Sequence, residues 1–143
     1  MKKHKGFTFI EILVVITIIG ILTAVGVTNF RVANQKAKDG RRQADLEQIR
    51  AALELYRSDQ NQYPLTGEFP LAGDSLAKDG ITYISDRPED PVSGRSYKYT
   101  SSAGATYALC AALELGTDTV TGCGGASGCG TSIRCNYKVT NPL

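Results

Sequence analysis

Between Phe7 and Phe30 the chain carries a single charge, the carboxylate of Glu11, and from Ile12 to Phe30 it carries none. As a helix rising about 1.5 Å per residue that stretch is roughly 36 Å long, enough to cross a hydrocarbon core of about 30 Å. A carboxylate held at mid-bilayer costs about 2.5–3.5 kcal/mol, so Glu11 requires a partner wherever the span is buried in lipid.

The rest of the chain is short. With 143 residues in all, the portion beyond the span makes one small globular head. The formal charge of +2 includes Lys2, Lys3 and Lys5, and without these three it becomes −1. Overall basicity therefore gives no argument for nucleic-acid binding. An ordinary secretory signal also begins with basic residues, but its small-residue cleavage site comes after a shorter apolar stretch. Here the plausible cut precedes the span. Lys2, Lys3 and Lys5 favour a cytoplasmic N-terminus, although Arg31, Lys36, Lys38, Arg41 and Arg42 beyond the span weaken that asymmetry.

Lys2-Lys3-His4-Lys5-Gly6, followed by Phe7-Thr8-Phe9-Ile10-Glu11 and then the apolar run, resembles the leader and signal of type IV pilins and of the pseudopilins of type II secretion. The resemblance implies cleavage after Gly6 by the prepilin peptidase and N-methylation of Phe7. It also implies assembly into a filament through the apolar helix. The cost of the Glu11 carboxylate is met either by its reaching up to the interface or, in a filament, by the amine that cleavage creates at Phe7 of a neighbouring subunit, in which case the charge selects the register between subunits. The specific motif covers about the first thirty residues. A looser similarity, to the head of the major pseudopilin, rests on Tyr63-Pro64, Asp90-Pro91 and Tyr97-Lys98-Tyr99.

Helical periodicity continues past Phe30, with Leu46, Ile49, Leu53 and Tyr56 on one face and Asp45, Glu47, Arg50, Glu54 and Arg57 largely between them. One long helix from Phe7 to Ser58 is expected. Gly20, Gly26 and Gly40 each cost about 1 kcal/mol in a helix interior. Gly20 and Gly26 either let helices approach closely or help the helix loosen during assembly. Tyr63-Pro64 enforces the helix exit. Residues 65–79 read as a loop with a short turn around Ser75-Leu76-Ala77. Strands are expected over Ile81–Ile84, Ser96–Thr100 and Thr106–Glu114, the last two a hairpin joined by Ser101–Ala105. Gly122–Gly130 reads as a surface loop. The alternation from Ser132 to Thr140 reads as a half-buried last strand.

Four cysteines, Cys110, Cys123, Cys129 and Cys135, lie in the part expected outside the cytoplasm, where an even count argues for two disulfides with three pairings open. The expected pairs are Cys110 with Cys135, tying the last strand to the sheet, and Cys123 with Cys129, closing the glycine loop. Zinc is disfavoured: no C-x-x-C pair is present and His4 is the only histidine. The same lack of histidine removes Ser-His and Cys-His catalysis from the head. Glu89 and Asp90 sit among turn signals as solvated charge. No P-loop is visible, and the chain does not read as an enzyme. Pseudopilins of type II secretion often bind calcium in the loop after the strands. Here Asp118 is the only carboxylate between Gly116 and the C-terminus, against the six to eight oxygen ligands that calcium takes, so no cofactor is expected.

These readings define an α+β, type IV pilin-like chain whose long N-terminal helix packs on a small antiparallel sheet. Its expected parts are a cleaved leader (1–6), a transmembrane and filament-core helix (7–30), its amphipathic continuation (31–58) and a globular head (59–143). The expected function is that of a structural subunit of a type IV pilus-like filament. The alternative in that class is the major pseudopilin of a type II secretion system, against which the missing acidic loop weighs. A non-polymerising membrane-anchored binding module, or a DNA-uptake pilin, is the alternative of another class. Expected partners are further copies of the chain, the prepilin peptidase, an assembly platform with its ATPase, and the membrane.

Overall fold

The computed structural model describes residues 6–141, without the side chain of Thr28; Met1–Lys5 of the expected leader lie outside the described residues. One helix, α1, runs from Phe9 to Gln60, displaced by two residues at each end from the expected Phe7–Ser58. Its end is set by Asn61, which adopts the left-handed conformation (φ 56°) and donates its N–H to the Arg57 carbonyl at 2.8 Å, an αL cap that closes the last turn. Gly20, Gly26 and Gly40 are all accommodated inside the helix.

The chain divides into two compact units at Gln35/Lys36. In the first, every described side chain from Phe7 to Phe30 is exposed, and none of the apolar span is buried within the chain. A surface of this kind is compatible with lipid or with other apolar helices and not with water.

The second unit is built on the C-terminal part of α1. Leu46, Ile49, Leu53 and Tyr56, the stripe expected from the periodicity, are all buried, with Ala52 beside them. They form one cluster with Tyr63, Leu76, Ile84, Tyr97, Tyr99, Tyr107, Leu109 and Val139. Buried tyrosine hydroxyls usually find a hydrogen-bond partner, and four of them do so here. Tyr97 donates to Asp45 at 2.7 Å, Tyr99 to the Pro64 carbonyl at 2.6 Å, and Tyr63 and Tyr107 to Glu54 at 3.0 and 3.3 Å. Three of these bonds end on carboxylates that α1 presents on its polar flank. The sheet is thereby fixed to the helix by oriented contacts as well as by apolar burial.

Two antiparallel sheets complete the unit: β1 (Leu76–Lys78) with β2 (Ile81–Ile84), and β3 (Lys98–Ser102), β4 (Thr106–Ala111) and β5 (Tyr137–Thr140) in the order β3-β4-β5. β1 falls where only a short turn was expected, and it forms because β2 offers it a partner strand. The expected β3–β4 hairpin is present, but β3 extends through Ser101 and Ser102, and the turn narrows to Ala103-Gly104-Ala105. Ala103 and Gly104 have φ of 52° and 74°, consecutive left-handed residues of the kind that match hairpin twist. β4 stops at Ala111, short of the expected Glu114. The last strand is likewise shorter than its alternation suggests: burial alternates, with Cys135 and Val139 buried and Arg134 and Lys138 exposed, yet pairing begins only at Tyr137. Upstream of Tyr137, among the described residues, only the Asn136 N–H still reaches β4, at the Ala111 carbonyl, while the Asn136 side chain turns to another segment.

Candidate functional site

Gly6 and Phe7 are exposed ahead of the first helical turn, and Phe7 is 81% exposed. Thr8 caps α1. Its hydroxyl accepts the Glu11 N–H at 3.3 Å, and its own N–H is donated to Glu11 Oε2 at 3.4 Å. This reciprocal pairing is a capping box, Thr-x-x-Glu, satisfying two backbone donors that a helix start leaves without partners. The negative carboxylate also lies at the positive end of the helix dipole. Glu11 therefore has an intrachain hydrogen-bond partner, and among the described residues it makes no ion pair. Sequence reasoning misses Thr8, although the Thr-x-x-Glu spacing ahead of an apolar run is a signal that could find it.

The cysteines form two disulfides, pairing Cys110 with Cys123 and Cys129 with Cys135. This corrects the expected pairing of Cys110 with Cys135 and Cys123 with Cys129. The glycine loop folds back so that Cys123 meets the end of β4, while Cys129 meets the segment leading into β5. All four cysteines are buried in one cluster with Ala112. Gly128 makes the close approach possible: a Cβ there would run into the Cys123 carbonyl and lie 3.0 Å from Cys135 Sγ.

A second constellation centres on Arg42, which is fully buried. Its Nε and Nη2 bond Asp90 Oδ2 and Oδ1 at 2.8 and 3.0 Å, its Nη1 bonds Asp39 Oδ1 at 2.7 Å, and Nη2 reaches Glu114 Oε1 at 3.5 Å. Asp90, expected to be solvated, is buried; Glu89 beside it is exposed. The Asp39 carboxylate also accepts the N–H groups of Glu114 and Leu115 at 2.8 and 3.0 Å. Burial alone pushes the Asp39 carboxyl up, but those two N–H groups and the Arg42 guanidinium together hold it below its ordinary value. For Arg42 burial works against the charge, and the bonds to Asp90 and Asp39 outweigh it, raising its pKa. In the sequence Arg42 counts among the surface cations, because nothing local distinguishes it from exposed Arg41.

The loop after β4 does not fit calcium. Of the carboxylates around it, Asp39 and Glu114 are held by Arg42, with Lys38 also 3.4 Å from Glu114, and Asp118 stands alone and exposed. Two carbonyls that do converge, those of Leu113 and Gly116, receive the side-chain amide of Asn136 at 3.0 and 2.8 Å. Among the described residues no group of three or more His, Cys, Asp or Glu could hold a metal ion.

A helix-first α+β chain whose span of membrane length opens on Gly-Phe-Thr-x-x-Glu, with that Glu11 as its one charge, is pilin-like. Residues 1–27 match the prokaryotic N-terminal methylation motif, and residues 29–129 match type II secretion system (T2SS) protein G; the chain belongs to the T2SS protein G family. It is similar to the type II secretion system core protein G of Vibrio cholerae, 32% identical over 108 residues that cover 71% of this chain and 73% of that protein. The same protein of Escherichia coli K12 is 33% identical over 99 residues, covering 62% and 67%. That of Aeromonas hydrophila is 30% identical over 97 residues, covering 68% of this chain and 60% of the relative, so the chain spans about three fifths of that protein's length. No solved structure is significantly similar to the chain. Of the two filament readings, the family is that of the secretion pseudopilin, and the missing acidic loop does not remove the chain from it.

Proposed function

We propose that this chain is the major pseudopilin of a type II secretion system, a structural subunit that polymerises with copies of itself. It is made as a precursor with its N-terminus in the cytoplasm and its head outside, cleaved after Gly6 by the prepilin peptidase, and methylated at Phe7. An assembly platform and its ATPase then draw it from the membrane into the filament. The match of residues 29–129 to T2SS protein G favours the secretion pseudopilin over the pilus subunit, and the wholly exposed apolar span with Glu11 as its one charge supports polymerisation.

Cleavage creates a cationic amine at Phe7, which stays cationic after methylation. The Thr8 box gives the Glu11 carboxylate one hydrogen bond but no countercharge, and the amine of a neighbouring subunit supplies one. In low dielectric, removing one member of such a pair leaves the other uncompensated at about 3–5 kcal/mol, so the charge selects the register between subunits. Glu11→Val should insert into the membrane at least as well as wild type, yet fail to form filaments or support secretion when it is the sole subunit. Glu11→Gln keeps a side chain able to pair with Thr8 and removes the charge, and it should fail as well. Normal filament yield and secretion from both variants, with Phe7 still processed, would reject the pairing.

A further inference from the structure

The turn from Leu113 to Gly116 has no strand partner, yet five of its backbone polar groups are taken by side chains. Asn136 Oδ1 accepts the Leu113 N–H at 2.7 Å, and Asn136 Nδ2 donates to the carbonyls of Leu113 and Gly116 at 3.0 and 2.8 Å. Asp39 accepts the next two N–H groups, those of Glu114 and Leu115. The orientation of the amide is forced, since two carbonyls can only accept and one N–H can only donate. The Asn136 backbone is fixed too, through its N–H to the Ala111 carbonyl at 3.0 Å. Gly116 permits the contact: a Cβ there would lie 2.7 Å from Asn136 Nδ2 and 2.8 Å from its Cγ.

Two carbonyl oxygens three residues apart, turned toward one point, are what a loop offers to a hard cation. Here that point holds an NH2 group, and a cation between the same oxygens would collide with it. We propose that the Asn136 carboxamide does for this loop what a divalent cation would do, and that the loop is held by its two disulfides rather than by a bound calcium ion. The two disulfides hold both ends of the Asn136 environment: Cys110 precedes the turn by three residues and Cys135 immediately precedes Asn136. Through Asp39 the turn is also tied to α1, so loss of the amide or of the bridges loosens the helix around Asp39 and Arg42. This inference stands apart from the filament reading; it concerns how one subunit folds, whatever the subunit joins.

The test is thermal unfolding of the full mature chain in detergent, followed by circular dichroism, in chelator or in millimolar calcium chloride, with and without reductant. Wild type should unfold at the same midpoint, within about 1 °C, with and without calcium, and lower in reductant. Asn136→Ala removes three hydrogen bonds and leaves their backbone partners unmatched, so its midpoint should fall by about 5–10 °C and calcium should not restore it. Gly116→Ala, which displaces the amide without touching it chemically, should fall in the same direction. Asn136→Asp replaces the donor by a carboxylate facing two carbonyls; its midpoint should fall without calcium and rise when calcium is added. A rise of several degrees in wild type on adding calcium would overturn the proposal, as would a wild-type midpoint for Asn136→Ala. An Asn136→Asp chain indifferent to calcium would show that the amide does not stand in a cation's place.

Discussion

Replacing Arg42 by methionine should destabilise the head more than any other single change of similar volume, because of what it leaves behind. The guanidinium is fully buried and binds Asp90 through two hydrogen bonds and Asp39 through one. Methionine fills much of the same space but leaves both carboxylates buried without their cation, a loss of about 3–5 kcal/mol. A domain of this size is stable by about 5–15 kcal/mol, and each kcal/mol moves its midpoint by about 4 °C, so a fall of about 12–20 °C is expected at pH 7. Acid supplies a second signature. The Asp39 carboxyl is held below its ordinary value in the folded chain, so its contribution is complete above the unfolded pKa of about 3.9 and is lost as pH falls through the lower folded value. In Arg42→Met a buried Asp39 without the guanidinium takes up a proton more readily, and the deficit relative to wild type should narrow on acidification. Pairing Arg42→Met with Asp90→Leu should recover part of the loss, since one stranded carboxylate is removed. Thermal unfolding from pH 7 to pH 3 reads all three effects. A single variant within about 1 kcal/mol of wild type at pH 7, with a deficit independent of pH, would show that water already satisfies the carboxylates and that the guanidinium is dispensable.

Peptide mapping without reductant should recover Cys110 joined to Cys123 and Cys129 joined to Cys135; removing either bridge should cost about 2–5 kcal/mol, and any other pairing in active protein would contradict the loop path. Gly128→Ala should prevent the loop from closing on Cys123 and leave alkylatable thiols, whereas full oxidation and a wild-type midpoint would show that the backbone can shift. Burial raises the Tyr99 hydroxyl to about 12, and burial together with Asp45 raises that of Tyr97 further. Both contributions are complete below the unfolded pKa of about 10 and are lost as pH rises through the folded values, so absorbance titration should show these tyrosines ionising only as the head unfolds. Smooth ionisation near pH 10 with the fold intact would sink that expectation.

The features legible in the sequence are those with a local period or a local motif. The span announces itself by the absence of charge, and the stripe from Leu46 to Tyr56 by its spacing, which survives in the fold as the floor of the core. The Ala103-Gly104 hairpin is signalled by small residues between two β-rich runs. The features that escape a sequence reading depend on partners far along the chain. Arg42 meets Asp90 and Glu114 across 48 and 72 residues, and no window contains that information. Cysteine pairing is of the same kind, since four cysteines allow three connectivities and only the path of the glycine loop chooses. The alternation through Ile133, Cys135, Tyr137 and Val139 predicts a strand longer than the one that forms, because burial with period two does not require ladder pairing. Cys135 is buried by its bridge, and Asn136 turns its amide to the Leu113–Gly116 turn. Thr8 is the exception, a local motif that is easily overlooked because the cost of burying Glu11 points first to a partner on another subunit.

Whether the filament is built on a new amine at Phe7 can be read from the intact mass of the subunit recovered from purified filaments. The expected species is the chain without Met1 to Gly6 and with one added methyl group, on a terminal fragment beginning at Phe7. Filaments built from chains that still carry Lys2 to Lys5 would contradict it, because the proposed pairing of Glu11 requires the new amine at Phe7.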